Sequence, residues 1–336
     1  MNKQELFETA VAMVADNKGL LAADESTGTM GKRLDSIGVE NVEDKRRDYR
    51  EMMFRSNGIG SYISGVILYD ETIRQAAADG TPLVKILEDA GVIPGIKVDG
   101  GAKELPGRPA EKITEGLDGL PKRIAEYYEL GARFAKWRAV IDIAEGVPSR
   151  YAIHTNAHAL ARYAKICQEG GLCPIVEPEV LMDGGHDIDR CQEVTEEVLD
   201  AVYNELHLQE VYLEGSILKP NMVIAGKKCS NQASPEEVAA RTVETLLRKV
   251  PAAVPGIMFL SGGQSEEEAT LHLDLMNASD ANLPWKLSFS YGRALQQSAL
   301  NTWKGDNANS AAAQQAFLER ASANSRACAG TYSKAA

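Results

Sequence analysis

The chain has 336 residues, of which 44% are hydrophobic and 25% are charged, proportions typical of a globular protein with one large domain or two modest ones. Its formal net charge of −12 argues against nucleic acid or anionic membranes as main partners, so positive charge that binds an anion must be concentrated locally. No apolar run is long enough to span a bilayer, and the N-terminal residues do not fit a signal or transit peptide. We therefore expect a cytoplasmic protein. Five widely spaced cysteines without a CxxC pair favour reduced thiols over disulfides or a zinc site.

Short apolar or β-branched segments alternate with helix-like segments along the whole chain, and no linker or block of like charge marks a domain boundary. Eight segments are predicted strands: Leu20–Asp24, Tyr62–Tyr69, Gly95–Asp99, Arg133–Arg138, Cys173–Glu179, Gly215–Lys219, Gly256–Ser261 and Leu287–Tyr291. This alternation predicts an α/β fold, a closed (β/α)8 TIM barrel that forms a single domain over 1–336, with a short C-terminal tail from about 329. An open doubly wound sheet is the alternative, but the first strand is not followed by a GxGxxG turn.

Two helices late in the chain begin with capping signals. Ser234-Pro-Glu-Glu237 supplies an N-cap, a proline at the first helical position and a capping-box glutamate, and Ser265-Glu-Glu-Glu268 opens the next helix similarly. The first of these helices has apolar residues at the spacing of one buried face: Val243, Leu246, Leu247 and Val250.

Charged and small polar residues stand where the predicted strands end, which is where a barrel carries its chemistry. In chain order they are Asp24, Lys97, Asp99, Lys136, Arg138, Glu177, Glu179, Lys219, Ser261-Gly-Gly263 and Gly292-Arg293. Side chains alternate along a strand, so Lys136 and Arg138 share one face, as do Glu177 and Glu179. A single pair would indicate a solvated strand end. Because burying an uncompensated charge costs several kcal/mol, charges at six strand ends favour a common active site.

Lys219 follows an apolar strand, and a second cation, Lys136, is expected near it. Burial and a neighbouring positive charge both lower the pKa of a lysine, and a neutral amine can form a Schiff base with a carbonyl. Glu177 and Glu179 are candidates for the acid and base that dehydrate the carbinolamine. Asp24 is a candidate for the base that takes a proton from a substrate hydroxyl.

Two groups of residues are candidates for binding phosphate. The loops after strands seven and eight are the usual phosphate site in barrels, and here they hold the Leu260–Gly263 turn, Gly292 and Arg293. The second candidate site, at the other side of the barrel mouth, comprises Ser26, Thr29, Lys32 and Lys97. A phosphorylated small molecule is therefore the expected ligand.

Long motifs follow one another along almost the whole chain: Leu-Ala-Ala-Asp-Glu-Ser-Thr-Gly28, Gly-Ile-Lys-Val-Asp99, Phe-Ala-Lys-Trp-Arg138, Pro-Ile-Val-Glu-Pro-Glu179, Leu-Glu-Gly-Ser-Ile-Leu-Lys-Pro-Asn-Met222 and Phe-Ser-Tyr-Gly-Arg-Ala-Leu295. With these motifs the sequence resembles class I fructose-bisphosphate aldolase. The resemblance implies a lyase of glycolysis and gluconeogenesis that cleaves fructose 1,6-bisphosphate to dihydroxyacetone phosphate and glyceraldehyde 3-phosphate. It also implies a lysine Schiff base, no cofactor or metal, and a homotetramer.

The resemblance gives each candidate residue a role. Lys219 matches the Schiff-base lysine, Glu177 the acid/base for its formation, and Asp24 the base that deprotonates the substrate hydroxyl. The residues that match those supporting the charge balance are Lys136, Glu179 and Arg138. The ketose-side phosphate site matches Ser261, Gly262, Gly292 and Arg293. The aldehyde-side site matches Ser26, Thr29 and Lys97, with Thr29 in place of the more usual serine.

The C-terminus departs from the pattern of the animal enzymes. Those enzymes carry a longer tail whose final tyrosine helps to protonate the enamine, whereas this sequence ends in Thr331-Tyr-Ser-Lys-Ala-Ala336. Tyr332 is too close to the body of the domain for that role. The resemblance therefore implies that either another group or water protonates the enamine, or that this last step is slow.

Other functions remain as alternatives. His154 and His158 have the spacing of two metal ligands, as a metal-dependent aldolase would need, but the HExxH glutamate is absent and an exposed helix face is favoured. Ser26–Lys32 resembles a Walker A loop but lacks its leading glycine, and Arg33 replaces the residue that would hold magnesium. A non-catalytic phosphosugar-binding barrel would be expected to lack a reactive residue, whereas all those named above are present.

Overall fold

The computed structural model of the protein describes residues 1–279 and 281–332. Eight parallel strands close into a barrel in the order β1, β2, β3, β6, β7, β8, β9, β10, and β10 pairs with β1. The strands are β1 Gly19–Ala23, β2 Ile63–Leu68, β3 Ile93–Lys97, β6 Phe134–Ile141, β7 Cys173–Val180, β8 Ile217–Leu218, β9 Gly256–Phe259 and β10 Lys286–Tyr291. The predicted single-domain (β/α)8 barrel is confirmed, and the open doubly wound alternative is excluded by the pairing of β10 with β1.

Helices connect the barrel strands and surround them. They are α1 Lys3–Met13, α2 Thr27–Asp35, α3 Glu43–Phe54, α4 Asp70–Ile73, α5 Leu83–Asp89, α6 Leu120–Glu129, α7 Arg150–Glu169, α8 Ile188–Leu208, α9 Pro235–Lys249, α10 Glu266–Asn277, α11 Arg293–Trp303 and α12 Ser310–Cys328. Short 3-10 helices occupy Ile59–Ser61, Leu213–Gly215 and Asn307–Asn309. Of the tail predicted from about 329, residues 333–336 lie outside the described residues. No helix in the described ranges is long and apolar enough to cross a lipid bilayer.

All eight predicted strands exist, although several of their ends differ from the prediction. The third strand ends at Lys97 rather than Asp99, and the sixth predicted strand shortens to two residues, because a 3-10 helix precedes it and Pro220 follows Lys219. The sequence analysis missed one antiparallel hairpin, formed by β4 Ala102–Leu105 and β5 Arg108–Thr114. Its Pro106-Gly107 turn was a readable signal, with Gly107 at φ +77°.

The predicted helix caps are largely correct. Ser265 and Glu268 form a complete capping box at α10. At α9, the Ser234 side chain accepts a hydrogen bond from the Glu237 N–H, but the Glu237 carboxylate lies near Arg241 instead of bonding back. Leu247 was predicted on the buried face of α9 and this is wrong, since it is 50% exposed. Its position one residue from Leu246 turns it past the edge of the buried face.

The N-terminal end of the barrel is closed by α1 and filled by a cluster of apolar side chains. This cluster is separate from, and smaller than, the main hydrophobic core. Leu6 and Met13 of α1 contact this cluster, in which Leu20 and Phe134 are fully buried inside the barrel. A methyl group on Gly65 of β2 would lie 2.9 Å from the Phe134 ring, so glycine leaves the space that the ring fills. This packing fills the interior of the barrel at its N-terminal end and supports the strands, whose C-terminal ends lie at the opposite end.

We predict that Phe134→Ala lowers the free energy of unfolding by about 3–5 kcal/mol, because it removes a buried ring and leaves a cavity. Urea unfolding monitored by circular dichroism measures this. Phe7→Ala is the matched control, because Phe7 belongs to the helix α1 that closes this end of the barrel but is 39% exposed, and its cost should stay below about 1 kcal/mol. Equal losses for the two variants would contradict the proposed packing.

Candidate active site

The C-terminal ends of the barrel strands open into a cavity of about 830 Å³, here called the mouth. Every residue that the sequence analysis placed in the site lines it: Asp24, Ser26, Thr29, Lys32, Lys97, Asp99, Lys136, Arg138, Glu177, Glu179, Lys219, Leu260, Ser261, Gly262, Gly263, Gly292 and Arg293. These residues come from widely separated parts of the chain. The closed barrel brings them together because successive strands all end at the same rim.

Four charged side chains form a continuous row across the floor of the mouth. The Lys136 Nζ lies 2.7 Å from Asp24 Oδ2 and 3.4 Å from Glu177 Oε2, and the Lys219 Nζ lies 3.3 Å from Glu177 Oε1. All four side chains are at most 12% exposed. The Glu177 carboxylate therefore bridges two buried ammonium groups, and each charge has a partner that offsets its desolvation.

The Asp24 carboxyl group has an unusually low pKa. Burial by itself would raise this pKa, but the ammonium groups of Lys136 and Lys219 outweigh burial and hold the pKa at about 2. The opposite happens at Lys136: burial would lower its pKa, and the carboxylates of Asp24 and Glu177 raise it above the ordinary lysine value. Asp24 is therefore anionic and Lys136 cationic at neutral pH.

The two glutamates of β7 have different partners. Glu179 is ion-paired at short range with the Arg138 Nε, whereas Glu177 faces Lys219. Burial would lower the Arg138 pKa, but the Glu179 carboxylate outweighs burial and raises it. Oε2 of Glu177 is buried and has no hydrogen-bond partner within the described residues. Of the two glutamates, Glu177 is thus the one placed to exchange a proton beside Lys219.

One side of the mouth carries the turn Leu260–Gly263, here called the 260–263 turn, which follows β9. Its two glycines have positive φ, +53° at Gly262 and +79° at Gly263, a conformation that other residues rarely adopt. The Ser261 carbonyl accepts hydrogen bonds from the Gln264 backbone N–H and side-chain Nε2, at 3.0 and 2.9 Å. Gln264 is in turn bonded to the His272 Nδ1 at 2.5 Å, so the turn is braced from behind.

The other side of the mouth carries hydroxyl groups at the start of α2. The Ser26 Oγ caps this helix by accepting from the Thr29 N–H, and it lies 3.2 Å from the Thr29 Oγ1. Lys97 stands nearby on β3, with its Nζ 3.0 Å from Asp99 Oδ1. The mouth therefore has two distinct polar ends, one on each side of the row of lysines and carboxylates.

The sequence of this chain matches one protein family over nearly its whole length. The family model described as fructose-bisphosphate aldolase class-I matches residues 5–336. The chain belongs to the class I fructose-bisphosphate aldolase family. The resemblance inferred from the sequence motifs is confirmed.

Individual relatives agree with the family model. The chain is 58% identical over 328 residues to fructose-bisphosphate aldolase 6, cytosolic, of Arabidopsis thaliana, covering 98% of this chain and 91% of that one. It is also 58% identical over 328 residues to the cytoplasmic isozyme of fructose-bisphosphate aldolase from Spinacia oleracea, covering 98% and 92%. A solved structure of fructose-bisphosphate aldolase from Plasmodium falciparum superimposes with a TM-score of 0.97 at 51% identity, covering 98% and 95%.

Several residues that line the mouth were not assigned to the site by sequence reasoning, and three of them are charged residues of particular interest. Glu25 and Arg33 form a 2.7 Å ion pair in which Glu25 is 6% exposed, and Lys227 lines the mouth beside the 260–263 turn. Glu25 directly follows Asp24 at a strand end, which was a usable signal. Arg33 lies within α2 and Lys227 in a loop, so only the folded chain brings them to the mouth.

The histidine pair considered for metal binding lies away from the mouth. His154 and His158 are on α7, where their Nδ1 atoms lie 3.7 and 3.0 Å from the carboxylate of Glu205 on α8. Neither histidine is among the residues that line the mouth. Over residues 1–279 and 281–332 there is no cluster of three or more His, Cys, Asp or Glu side chains arranged to hold a metal ion.

Tyr332 lies far from the reacting groups expected for an aldolase. Its backbone N–H donates to Asp274, in the last turn of α10, and its ring packs on Arg326. Helix α10 begins after the C-terminal end of β9, so its last turn lies toward the face opposite the mouth. Tyr332 is not among the residues that line the mouth, and its exclusion from enamine protonation stays a prediction.

The low pKa of Asp24 predicts a pH-dependent contribution to stability. A carboxyl group whose pKa is depressed on folding stabilises the protein above its unfolded pKa of about 3.9, and this stabilisation is lost as the pH falls through about 2. Asp24→Asn should therefore destabilise the protein by about 2 kcal/mol at pH 6, and the difference from wild type should narrow below about pH 4. Urea unfolding at several pH values tests this. A difference that is independent of pH would contradict the ion pair with Lys136.

Proposed function

We propose that the protein catalyses the reversible aldol cleavage of fructose 1,6-bisphosphate to dihydroxyacetone phosphate and glyceraldehyde 3-phosphate, through a Schiff base on Lys219. Membership of the class I aldolase family supports the reaction. The observation that carries the assignment of residues is the buried Lys219 ammonium group 3.3 Å from Glu177, inside a mouth with two polar ends.

The first step forms the covalent bond to the substrate. The Lys219 amine, once it has lost its proton, adds to the ketone carbon of the open-chain sugar and forms a carbinolamine. Glu177 donates a proton to the carbinolamine hydroxyl, which leaves as water and yields the protonated imine. The buried Oε2 of Glu177 has an ion-pair contact to the Lys136 Nζ at 3.4 Å but no hydrogen bond among the described residues, which supports its role as the group that carries this proton.

The second step breaks the carbon–carbon bond. Asp24 takes the proton of the hydroxyl on the aldehyde-half carbon of the breaking bond, and this C–O group becomes the aldehyde carbonyl. The electrons of the broken carbon–carbon bond move into the imine and give an enamine. A carboxylate that is anionic at neutral pH can accept this proton, and Lys136 at 2.7 Å balances its charge. Protonation of the enamine carbon and hydrolysis of the imine then release the ketose phosphate and restore the lysine.

The two ends of the mouth account for a substrate with two phosphates. The 260–263 turn, Gly292 and Arg293 would bind the ketose phosphate, through backbone N–H groups and the guanidinium group. Gly292 is the N-cap residue of α11, and it has no side chain to accept a hydrogen bond from the first turn. The first N–H groups of that helix are therefore available to an anion. Ser26, Thr29 and Lys97 would bind the phosphate at the aldehyde end.

We also propose that the protein is a homotetramer of the cytoplasm. Two of the relatives are named as cytosolic or cytoplasmic forms, which supports the location. Large apolar side chains are exposed on the outer helices, with Leu208 at 65% and Tyr151 at 46%, which supports association between chains. Size-exclusion chromatography with light scattering should give four times the chain mass of 36.3 kDa. A particle with the mass of one or two chains would contradict the tetramer.

Lys219→Met should lower kcat for fructose 1,6-bisphosphate by on the order of a thousandfold or more, because no other group can form the imine. In the wild-type protein, borohydride added with dihydroxyacetone phosphate should trap an adduct that mass spectrometry locates on Lys219. The matched control is Lys85→Met, which removes an exposed lysine of α5 and should leave turnover and adduct unchanged.

The same experiment separates the lysine mechanism from a metal mechanism. Activity should persist in EDTA, because the protonated imine withdraws electrons from the breaking bond as a metal ion would in a metal-dependent aldolase. Near-full turnover by a folded Lys219→Met protein would overturn the mechanism. Activity that EDTA abolishes, without any adduct, would revive the metal-dependent alternative and direct attention to His154 and His158.

A further inference from the structure

Lys227 is held at the rim of the mouth by its backbone. Three hydrogen bonds fasten its segment to the loop after β7: the N–H groups of Gly226, Lys227 and Lys228 donate to carbonyls of His186, Met182 and Gly184 at 2.8, 2.7 and 3.0 Å. The position of the Lys227 backbone is therefore fixed by the body of the protein. Its side chain starts from a defined point next to the 260–263 turn.

The Lys227 side chain reaches the turn that we assign to the ketose phosphate. A methyl group placed on Gly263 would overlap the Lys227 Nζ and would lie 3.0 Å from an Nη atom of Arg293. Both cations thus approach the same point on the turn, Lys227 from a loop and Arg293 from the first turn of α11. The positive φ of Gly263 favours glycine there, and a larger residue would also have to displace the ends of these two side chains.

Most of the other cations of the mouth are paired with buried carboxylates; Lys32, which also lines the mouth, has no such pair among the residues that the structure describes. Lys136 and Lys219 share Glu177 and Asp24, Arg138 is paired with Glu179, and Arg33 with Glu25. In the described part of the chain, by contrast, the Arg293 side chain has no carboxylate partner. The carboxylate partner of Lys227 is Asp183, at 3.3 Å and 66% exposed. Such an exposed pair is worth only about 0–1 kcal/mol, so Lys227 can exchange it for a ligand.

A phosphate monoester carries about −1.5 to −2 charges at neutral pH, and one guanidinium group neutralises only one of them. We propose that Lys227 is a second cation of the ketose phosphate site and binds the phosphate together with Arg293. This inference rests on the proposed function, since it assigns a further residue to the same site. It makes Lys227 a determinant of affinity for the ketose phosphate and gives it no part in the bond-breaking steps.

The test is the effect of Lys227→Met on the two substrates of the condensation reaction. Methionine keeps most of the length of the unbranched side chain and removes its charge. The KM for dihydroxyacetone phosphate should rise about tenfold, as expected for loss of a charge-assisted contact, whereas the KM for glyceraldehyde 3-phosphate should change less than about twofold. The value of kcat should change far less than the first KM. Lys227→Arg should restore most of the affinity.

Asp183→Asn is the matched control, because it removes the partner of Lys227 and leaves the cation in place. It should leave the KM for dihydroxyacetone phosphate unchanged or lower it. An unchanged KM in Lys227→Met would overturn the proposal, and so would equal rises for both substrates, which indicate a general disturbance of the mouth.

Binding of inorganic phosphate keeps this test independent of the proposed activity. Calorimetric titration should show weaker phosphate binding by Lys227→Met than by wild type, with a smaller dependence on salt concentration. Wild-type protein without turnover would refute the proposed function, and the phosphate titration would still decide the role of Lys227. Equal affinities in that titration would overturn the role of Lys227 while leaving the aldolase reaction intact.

Discussion

The carboxylate of Glu177 lies between two buried ammonium groups, and the arrangement of the mouth depends on this contact. Two lysines this close would repel each other and could not both stay buried without a shared anion. Asp24 adds a second carboxylate on the far side of Lys136 and completes an alternating row. In this row every buried charge has an oppositely charged neighbour.

The barrel makes this row possible because hydrogen bonding fixes the register of neighbouring strands. Strands β6 and β7 pair over eight residues, with Arg138 opposite Glu177. This register places the inward-facing Lys136 and Glu177 at the same end of the barrel. Beneath them, the Phe134 ring and the closing helix α1 fill the interior, so the charged layer lies on a packed apolar layer. The apolar layer thus supports the geometry on which the chemistry depends.

Much of this site was predictable because its signal lies in the strands. A charged residue at the end of an apolar strand is conspicuous, and parallel strands bring such residues together, which is why Asp24, Lys136 and Lys219 could be placed from sequence. Arg33 and Lys227 could not be placed, because their positions depend on how a helix is rotated and how a loop is fastened. Leu247 was assigned wrongly for the same reason, since apolar spacing alone does not fix the edge of a helix's buried face.

The two ends of the mouth differ in their charge balance. At the end that we assign to the aldehyde phosphate, the Lys97 ammonium group is already paired with Asp99, and the other donors are the hydroxyls of Ser26 and Thr29 and the ammonium group of Lys32. At the end that we assign to the ketose phosphate, Arg293 and Lys227 are not neutralised by any buried carboxylate among the described residues. A phosphate at the ketose end would therefore meet two such cations, against one at the aldehyde end. In the proposed reaction this asymmetry suits the order of events, because the ketose half must stay bound through the imine and enamine while the aldehyde half leaves first.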